Sequence, residues 1–251
     1  MNFEKHLQDF TPISLSEMDE VKLLNRTDTK FVFNNQQLLE MLPQLKADYK
    51  ALEINGKRAA QYQTLYFDTD DFQLYTLHHN GKKNRNKVRF RSYVESDLSF
   101  LEVKFKDNKG RTIKNRIRVD EIESELSDES KKFLINTSVG NQELEAKIWN
   151  NFKRITLVNV AAKERLTLDF NLSFEQDGNK HELENIVIAE VKQEKASGTS
   201  AFIKLMRKHR ISNTRISKYC TGTALLNKKL KHNLFKEKLL QLKKISNGFN
   251  S

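Results

Sequence analysis

The feature that most constrains this chain is an alternation. From Lys82 to Lys106 the sequence reads KKNRNKVRFRSYVESDLSFLEVKFK. In its first half Lys87, Arg89, Arg91 and Tyr93 alternate with Val88, Phe90 and Ser92; in its second, Glu102, Lys104 and Lys106 alternate with Leu101, Val103 and Phe105. Successive side chains leave a strand on opposite faces, so this period of two predicts a β-hairpin with one apolar face and one densely cationic face that also carries a glutamate. Three like charges in a row repel one another, and gathering them is costly unless an anion joins them.

The arrangement recurs along the chain. Thr112, Lys114, Arg116 and Arg118 oppose Ile113, Ile117 and Val119; Arg165, Thr167 and Asp169 oppose Leu166 and Leu168. Glu190, Lys192 and Glu194 share a face of a strand predicted over 186–195. Arg26, Asp28 and Lys30 share a face of a strand that leads into a helix over 36–46, capped by Asn34 or Asn35. Further strands are predicted at 60–69 and 153–160. Helices are predicted up to Leu24 after Ser14 or Ser16, after Asp70 as cap, over 200–210, and over about 223–245, the last one basic. The segment 121–152 reads as a helical insertion anchored by Phe133, Leu134, Leu144, Ile148 and Trp149, and Asp177-Gly178 as a hairpin turn.

Two folded forms accommodate this pattern. In an ordinary small barrel the apolar faces point inward and the charges are wet. In the inverted form the charged faces line a hydrated tunnel, and the interspersed helices cover the apolar faces. The strands lack the continuous apolar runs of a buried parallel sheet, which favours the inverted form. It also gathers the cations into one site whose field focuses on a polyanion.

The net charge of +11 and pI near 9.5 call for an anionic partner: phosphate chains, nucleotides, nucleic acid or an acidic membrane surface. Nucleic acid is disfavoured, because the cations do not alternate with stacking aromatics. The single cysteine, Cys220, excludes an internal disulfide and a cysteine-based metal cluster, reads as a small core residue, and fits a cytoplasmic location. The first residues contain no apolar stretch of signal-peptide length, and no run approaches the roughly 20 apolar residues that span a bilayer. The basic C-terminal helix leaves open a peripheral contact with an acidic membrane or a membrane-protein partner, with a solvated face as the default.

Arginine forks suit phosphate oxygens, and lysines act as point charges. Carboxylates among them make sense if a divalent cation, Mg²⁺ or Mn²⁺, joins them to phosphate. Glu190 is the first candidate ligand and Glu102 the second, with an ion pair to a neighbouring lysine as the structural alternative for each. Asp28 reads as an ion-pair partner of Arg26 and Lys30, His78 and His79 as surface residues beside a turn, and Ser217 next to Lys218 as a phosphate contact.

An ordered series of short motifs carries a resemblance. It runs Arg26-x-Asp28-x-Lys30-Phe31, Leu65-Tyr66-Phe67-Asp68-Thr69, Lys87-x-Arg89-x-Arg91-Ser-Tyr93, Leu101-Glu102-Val103-Lys104-x-Lys106, Glu164-Arg165, Glu190-Val191-Lys192 and Ser217-Lys218-Tyr219. Together they resemble the VTC domain, the polyphosphate polymerase module of the triphosphate tunnel metalloenzyme superfamily, over about residues 20–226 of a single domain spanning 1–251. The resemblance implies an α+β fold, an antiparallel β tunnel barrel with surrounding helices. It implies an enzyme that transfers the γ-phosphate of ATP to a growing inorganic polyphosphate chain with Mn²⁺ or Mg²⁺. Arg89 and Arg91 match the paired arginines that grip the triphosphate. Lys218, after Ser217, matches a lysine near the reacting phosphates, and Glu190 matches the metal-binding glutamate. Lys30, Lys104, Lys114 and Arg165 match other basic tunnel positions, and Lys87 and Lys192 stand in the same motifs. No SPX-like regulatory segment is recognisable. The superfamily's ExExK signature is replaced by Arg26-x-Asp28-x-Lys30, which favours the polymerase branch. The rivals are a tunnel triphosphatase and a non-catalytic polyphosphate-binding module.

Overall fold

The computed structural model describes residues 3–20, 27–194 and 198–248, so Arg26 and the end of the helix expected up to Leu24 lie outside the described residues. The chain opens with α1 (Glu4–Leu7), β1 (Pro12–Ile13) and α2 (Leu15–Glu20). β2 (Thr27–Asn34) runs into α3 (Asn35–Leu45) through a capping box. The Asn34 side chain accepts from the Gln37 N–H at 2.9 Å, and the Gln37 side chain accepts from the Asn34 N–H at 3.0 Å. β3 (Lys50–Leu52) and β4 (Ala59–Asp68) follow.

The helix after β4, α4 (Gln73–His79), is capped by a different aspartate from the one expected. Buried Asp68 accepts from the N–H groups of Leu74 and Tyr75, both at 2.8 Å, while Asp70 stays exposed beside Lys147. His79 is buried against Tyr75 and Phe235, and His78 bonds the Asn86 carbonyl, so neither is the surface residue its turn-side position implied.

β5 (Arg85–Tyr93) and β6 (Leu98–Lys106) form the expected hairpin, closed by a 3₁₀ turn at Val94–Ser96 and by Asp97 at φ 48°. β7 (Thr112–Val119) continues the meander. The helical insertion shrinks to α5 (Asp128–Ile135), and Ile148 and Trp149 belong instead to β8 (Glu145–Asn159). This strand covers both faces, Ile148 buried on one and Trp149 partly buried on the other, and its pairing shifts at Tyr66/Phe67 and at Asn151/Lys153. Covered on both sides and bulged, it loses the clean alternation that marks a half-buried strand.

β9 (Glu164–Gln176) turns at Asp177-Gly178 into β10 (Asn179–Leu183), and β11 (Ile186–Gln193) leads to α6 (Ala201–Lys208). The expected C-terminal helix is two, α7 (Lys218–Leu226) and α8 (Lys236–Ser246). The chain leaves helical geometry at Asn227, whose side chain donates to Gln176 at 2.6 Å. The apolar positions that read as one stripe make two separate contacts. Leu230 packs on the Tyr75–Tyr219 cluster, Leu225, Leu226 and Leu239 pack on the sheet beside Leu242 and Ile245, and Leu234 and Leu240 are exposed.

All eleven strands join one sheet, whose main path is β2-β11-β9-β8-β4-β5-β6-β7, antiparallel at every step. Among the described residues the ends of that path, β2 and β7, are not hydrogen-bonded to each other, so the sheet is not closed. Its apolar outer face lies under helices. Phe31, Phe33, Leu166, Leu168 and Val187 pack against Leu38, Met41 and Leu42 of α3 and Phe202 and Met206 of α6. Phe67, Val88, Phe90, Leu101 and Val103 pack against Leu74 of α4 and Leu134 of α5. Each such side chain contributes about 1.5–3 kcal/mol of burial. The inverted arrangement is adopted with one departure: α3 to α6 lie outside and the charges within, whereas α7 and α8 pack on the charged side, against Val32, Tyr62, Ile186 and Ile188.

Candidate functional site

Residues directly opposite one another in a ladder share a face of the sheet. Lys30 stands opposite Glu190, Glu190 opposite Thr167, and Thr167 opposite Thr156. Further on, Thr64 stands opposite Arg91, Tyr66 opposite Arg89, Arg89 opposite Glu102, and Lys104 opposite both Lys87 and Lys114. The register therefore places nearly every predicted site residue on one side of the sheet.

The sheet curls that side inward. β11 and β6 are five steps apart in the strand order, about 24 Å in a flat sheet at roughly 4.8 Å per strand. Yet the charges of Glu190 on β11 and Lys30 on β2 both act on Lys104 of β6. The enclosed face is a cavity, not a flat surface.

Three carboxylates organise it, each bridging two cations. Glu102 accepts from Arg89 Nε at 2.8 Å and Nη2 at 2.6 Å, and lies 2.5 Å from Lys114. Asp169 accepts from Arg154 Nε at 2.5 Å and Nη2 at 2.8 Å, and from Lys218. Glu190 accepts from Lys30 and lies 3.3 Å from Lys192. Burial alone would raise all three carboxyl groups, but the adjoining cations win. Arg89, Arg91 and Lys114 hold Glu102 down to about 2; Arg154 and Lys218 hold Asp169, and Lys192 and Lys30 hold Glu190, well below the carboxylate range. Six cations thus face three anions.

More cations stand beside these triads. Arg91 is buried, donates to Thr64 Oγ1 at 3.3 Å, and lies 5.7 Å from the Tyr62 ring centre. Lys87 donates to Ser217 Oγ at 2.8 Å. Burial lowers the pKa of Arg91, Lys87 and Lys218, and burial followed by the repulsion of Lys87 brings Lys104 down to about 8. Burying so many like charges is unfavourable for the free protein, and an entering polyanion relieves it.

Local folding explains the aim of the contributions from the C-terminal part. Ser217 is the N-cap of α7, accepting from the Cys220 N–H at 3.3 Å, and this fixes Lys218 as the first helical residue. Gly222 lets α7 lie against the sheet; a Cβ there would stand 2.4 Å from Phe174 Cδ1. Arg165 is on the cavity side and donates to the Met18 carbonyl at 3.2 Å. Its neighbour Glu164 points the other way, buried, accepting from Tyr49, from Gln193 at 2.7 Å and from Ser200 at 3.0 Å. The Glu164-Arg165 motif is therefore half scaffold and half site. Cys220 is buried, as a small core residue should be.

Arg154 and the role of Asp169 escaped the sequence reading. The signal was present: Arg154 and Thr156 alternate with Ile155 and Leu157, the same period of two. Tyr66, opposite Arg89, was read only as part of a motif.

A divalent cation would find one partly exposed carboxylate on this face. No group of three or more His, Cys, Asp or Glu side chains converges among the described residues. A cation held by one carboxylate and completed by phosphate oxygens needs no such group. Glu190 suits that part best, with 19% of its side chain exposed against 1% for Glu102 and 3% for Asp169.

A curled antiparallel sheet that encloses more buried cations than carboxylates, with α3 to α6 outside and α7 and α8 against its inner side, defines a polyanion-binding protein of the tunnel type. The VTC domain family profile matches residues 25–227, and the chain belongs to that family. No curated protein matches it in sequence. Among solved structures, it is similar to the PH1819 protein of Pyrococcus horikoshii, at 12% identity and a TM-score of 0.44, covering 82% of this chain and 99% of that one. It is also similar to a Hippeastrum protein described as an adenylyl cyclase candidate with a dominant triphosphatase activity, at 13% identity and a TM-score of 0.47, covering 79% of this chain and 96% of that one. No helix among the described residues is long and apolar enough to cross a membrane.

Proposed function

We propose that this chain is a polyphosphate polymerase that uses ATP as phosphoryl donor. The observation that carries the reading is the surplus of buried cations gathered around three carboxylates on one enclosed face, with the most exposed carboxylate, Glu190, among them. Membership of the VTC domain family supports a triphosphate- or polyphosphate-directed activity.

Phosphoryl transfer asks mainly for positioning and charge neutralisation, and no protein nucleophile is required. The terminal oxygen of the acceptor chain is already ionised. It forms a new P–O bond to the γ-phosphorus of ATP as the bridging bond to the β-phosphate breaks, and ADP departs with the electron pair. In this reading Arg89, Arg91 and Lys218 grip the transferring phosphoryl group. Lys30, Lys87, Lys104, Lys114, Arg154, Arg165, Lys192 and Ser217 hold donor and acceptor against their mutual repulsion. Mn²⁺ or Mg²⁺ on Glu190 would neutralise phosphate charge. Glu102, enclosed by Arg89 and Lys114, keeps those two side chains in place.

Purified protein given ATP and Mn²⁺ should yield ADP and polyphosphate long enough to resolve on a gel. Release of free phosphate alone would replace this reading with a triphosphatase, and untouched ATP would replace it with a binding module. Glu190→Gln should abolish metal-dependent turnover while inorganic tripolyphosphate still binds.

A further inference from the structure

We infer that Tyr66 is a phosphate-binding residue of this cavity, donating its O–H to a substrate phosphate oxygen held by Arg89 and Arg91. The inference rests on the phosphate-directed reading above and adds to it a neutral donor among the cations.

Four observations carry it. Tyr66 stands opposite Arg89 in the β4–β5 ladder, so its ring shares the cavity face. Where the pairing of β4 with β8 shifts next to Tyr66, the extra residue is Lys147 of β8, so β4 keeps its alternation and Tyr66 stays on the face of Thr64. The hydroxyl lies among the cations already assigned to phosphate: Arg89, Arg91, Lys218 and Lys87 all act on it electrostatically. Finally, its proton has no acceptor among the described residues. Among the described residues its one hydrogen bond is a long one, 3.5 Å, in which the phenol oxygen accepts from Arg89 Nη1. Its neighbours differ: Tyr75 donates to the Lys231 carbonyl at 2.9 Å, and Tyr219 donates to Asp68.

A buried hydroxyl that donates to nothing is expensive, and natural interiors rarely leave one so. Here, in a ring of cations, the missing acceptor is anionic. The same cations, working against burial, lower the pKa of the phenol from its ordinary value. A phosphate oxygen would neutralise them and keep the proton on Tyr66.

The test is titration of wild type and Tyr66→Phe with inorganic tripolyphosphate at pH 7. A hydrogen bond to a charged group predicts about tenfold weaker binding for the variant. The thermal midpoint without ligand should not fall, because the oxygen makes only the long contact and its loss removes an unpaired buried donor. Equal affinity within twofold overturns the inference and leaves the polymerase reading standing; a wild type that ignores tripolyphosphate overturns both. Should the variant prove unstable, phenolate absorbance at 295 nm in wild type decides. A titration step below the ordinary tyrosine range should move upward on adding tripolyphosphate. A step that does not move overturns the assignment.

Discussion

Lys104 shows how one residue reports on the whole cavity. It is flanked in register by Lys87 and Lys114, and its pKa is brought down to about 8 from 10.5, by burial first and Lys87 second. A lowered folded-state pKa means that the charged form costs the folded protein. That cost is present in full below about pH 8 and disappears as pH rises from there toward 10.5. A bound polyanion reverses the preference and pulls the proton back on. Tripolyphosphate should therefore bind more weakly at pH 9 than at pH 7, with proton uptake near pH 8. Lys104→Gln should remove most of that pH step; a wild-type affinity that stays flat across the interval would count against it. The cationic identity of such positions was legible in the sequence, because alternation assigns faces without any tertiary knowledge. Which carboxylate meets which cation was not. Lys30 meets Glu190 on the neighbouring strand, and Asp169 meets Lys218 across 49 residues of chain.

At the scale of elements, the strands with one wet face were readable and those with two buried faces were not. The β5–β6 hairpin came out almost to the residue, whereas the first part of β8 read as helix, because Ile148 and Trp149 serve opposite faces. The break between α7 and α8 was hidden because apolar residues at helical spacing did not reveal that they touch different partners. α7 matters most for the site, since it carries Ser217 at its cap and Lys218 in its first turn. Its seating depends on Gly222 against Phe174. Gly222→Ala should cost about 1–3 kcal/mol by overpacking, read as a lower urea midpoint, and should weaken tripolyphosphate binding by displacing Lys218. Adding Phe174→Leu should restore both, because the two residues share one contact. If the double variant is no better than the single one, the seating argument fails.

At the scale of the whole molecule, the sheet is inverted relative to an ordinary barrel and keeps many cations close together. Any ligand that relieves them should stabilise the fold. Tripolyphosphate at 100 times its dissociation constant should add about 2.7 kcal/mol, seen as a raised thermal midpoint. The shift should shrink as sodium chloride is added. The inversion was legible because helices alternate with half-charged strands. The open path from β2 to β7 was not, because closure depends on long-range pairing that no local pattern encodes. The three bridging carboxylates give this architecture a further property. Glu102, Asp169 and Glu190 already occupy, for their cation pairs, the positions that phosphate oxygens would otherwise take. The protein thus folds around its own internal counter-ions, and in the proposed function a phosphate chain would meet cations that these carboxylates already hold in place.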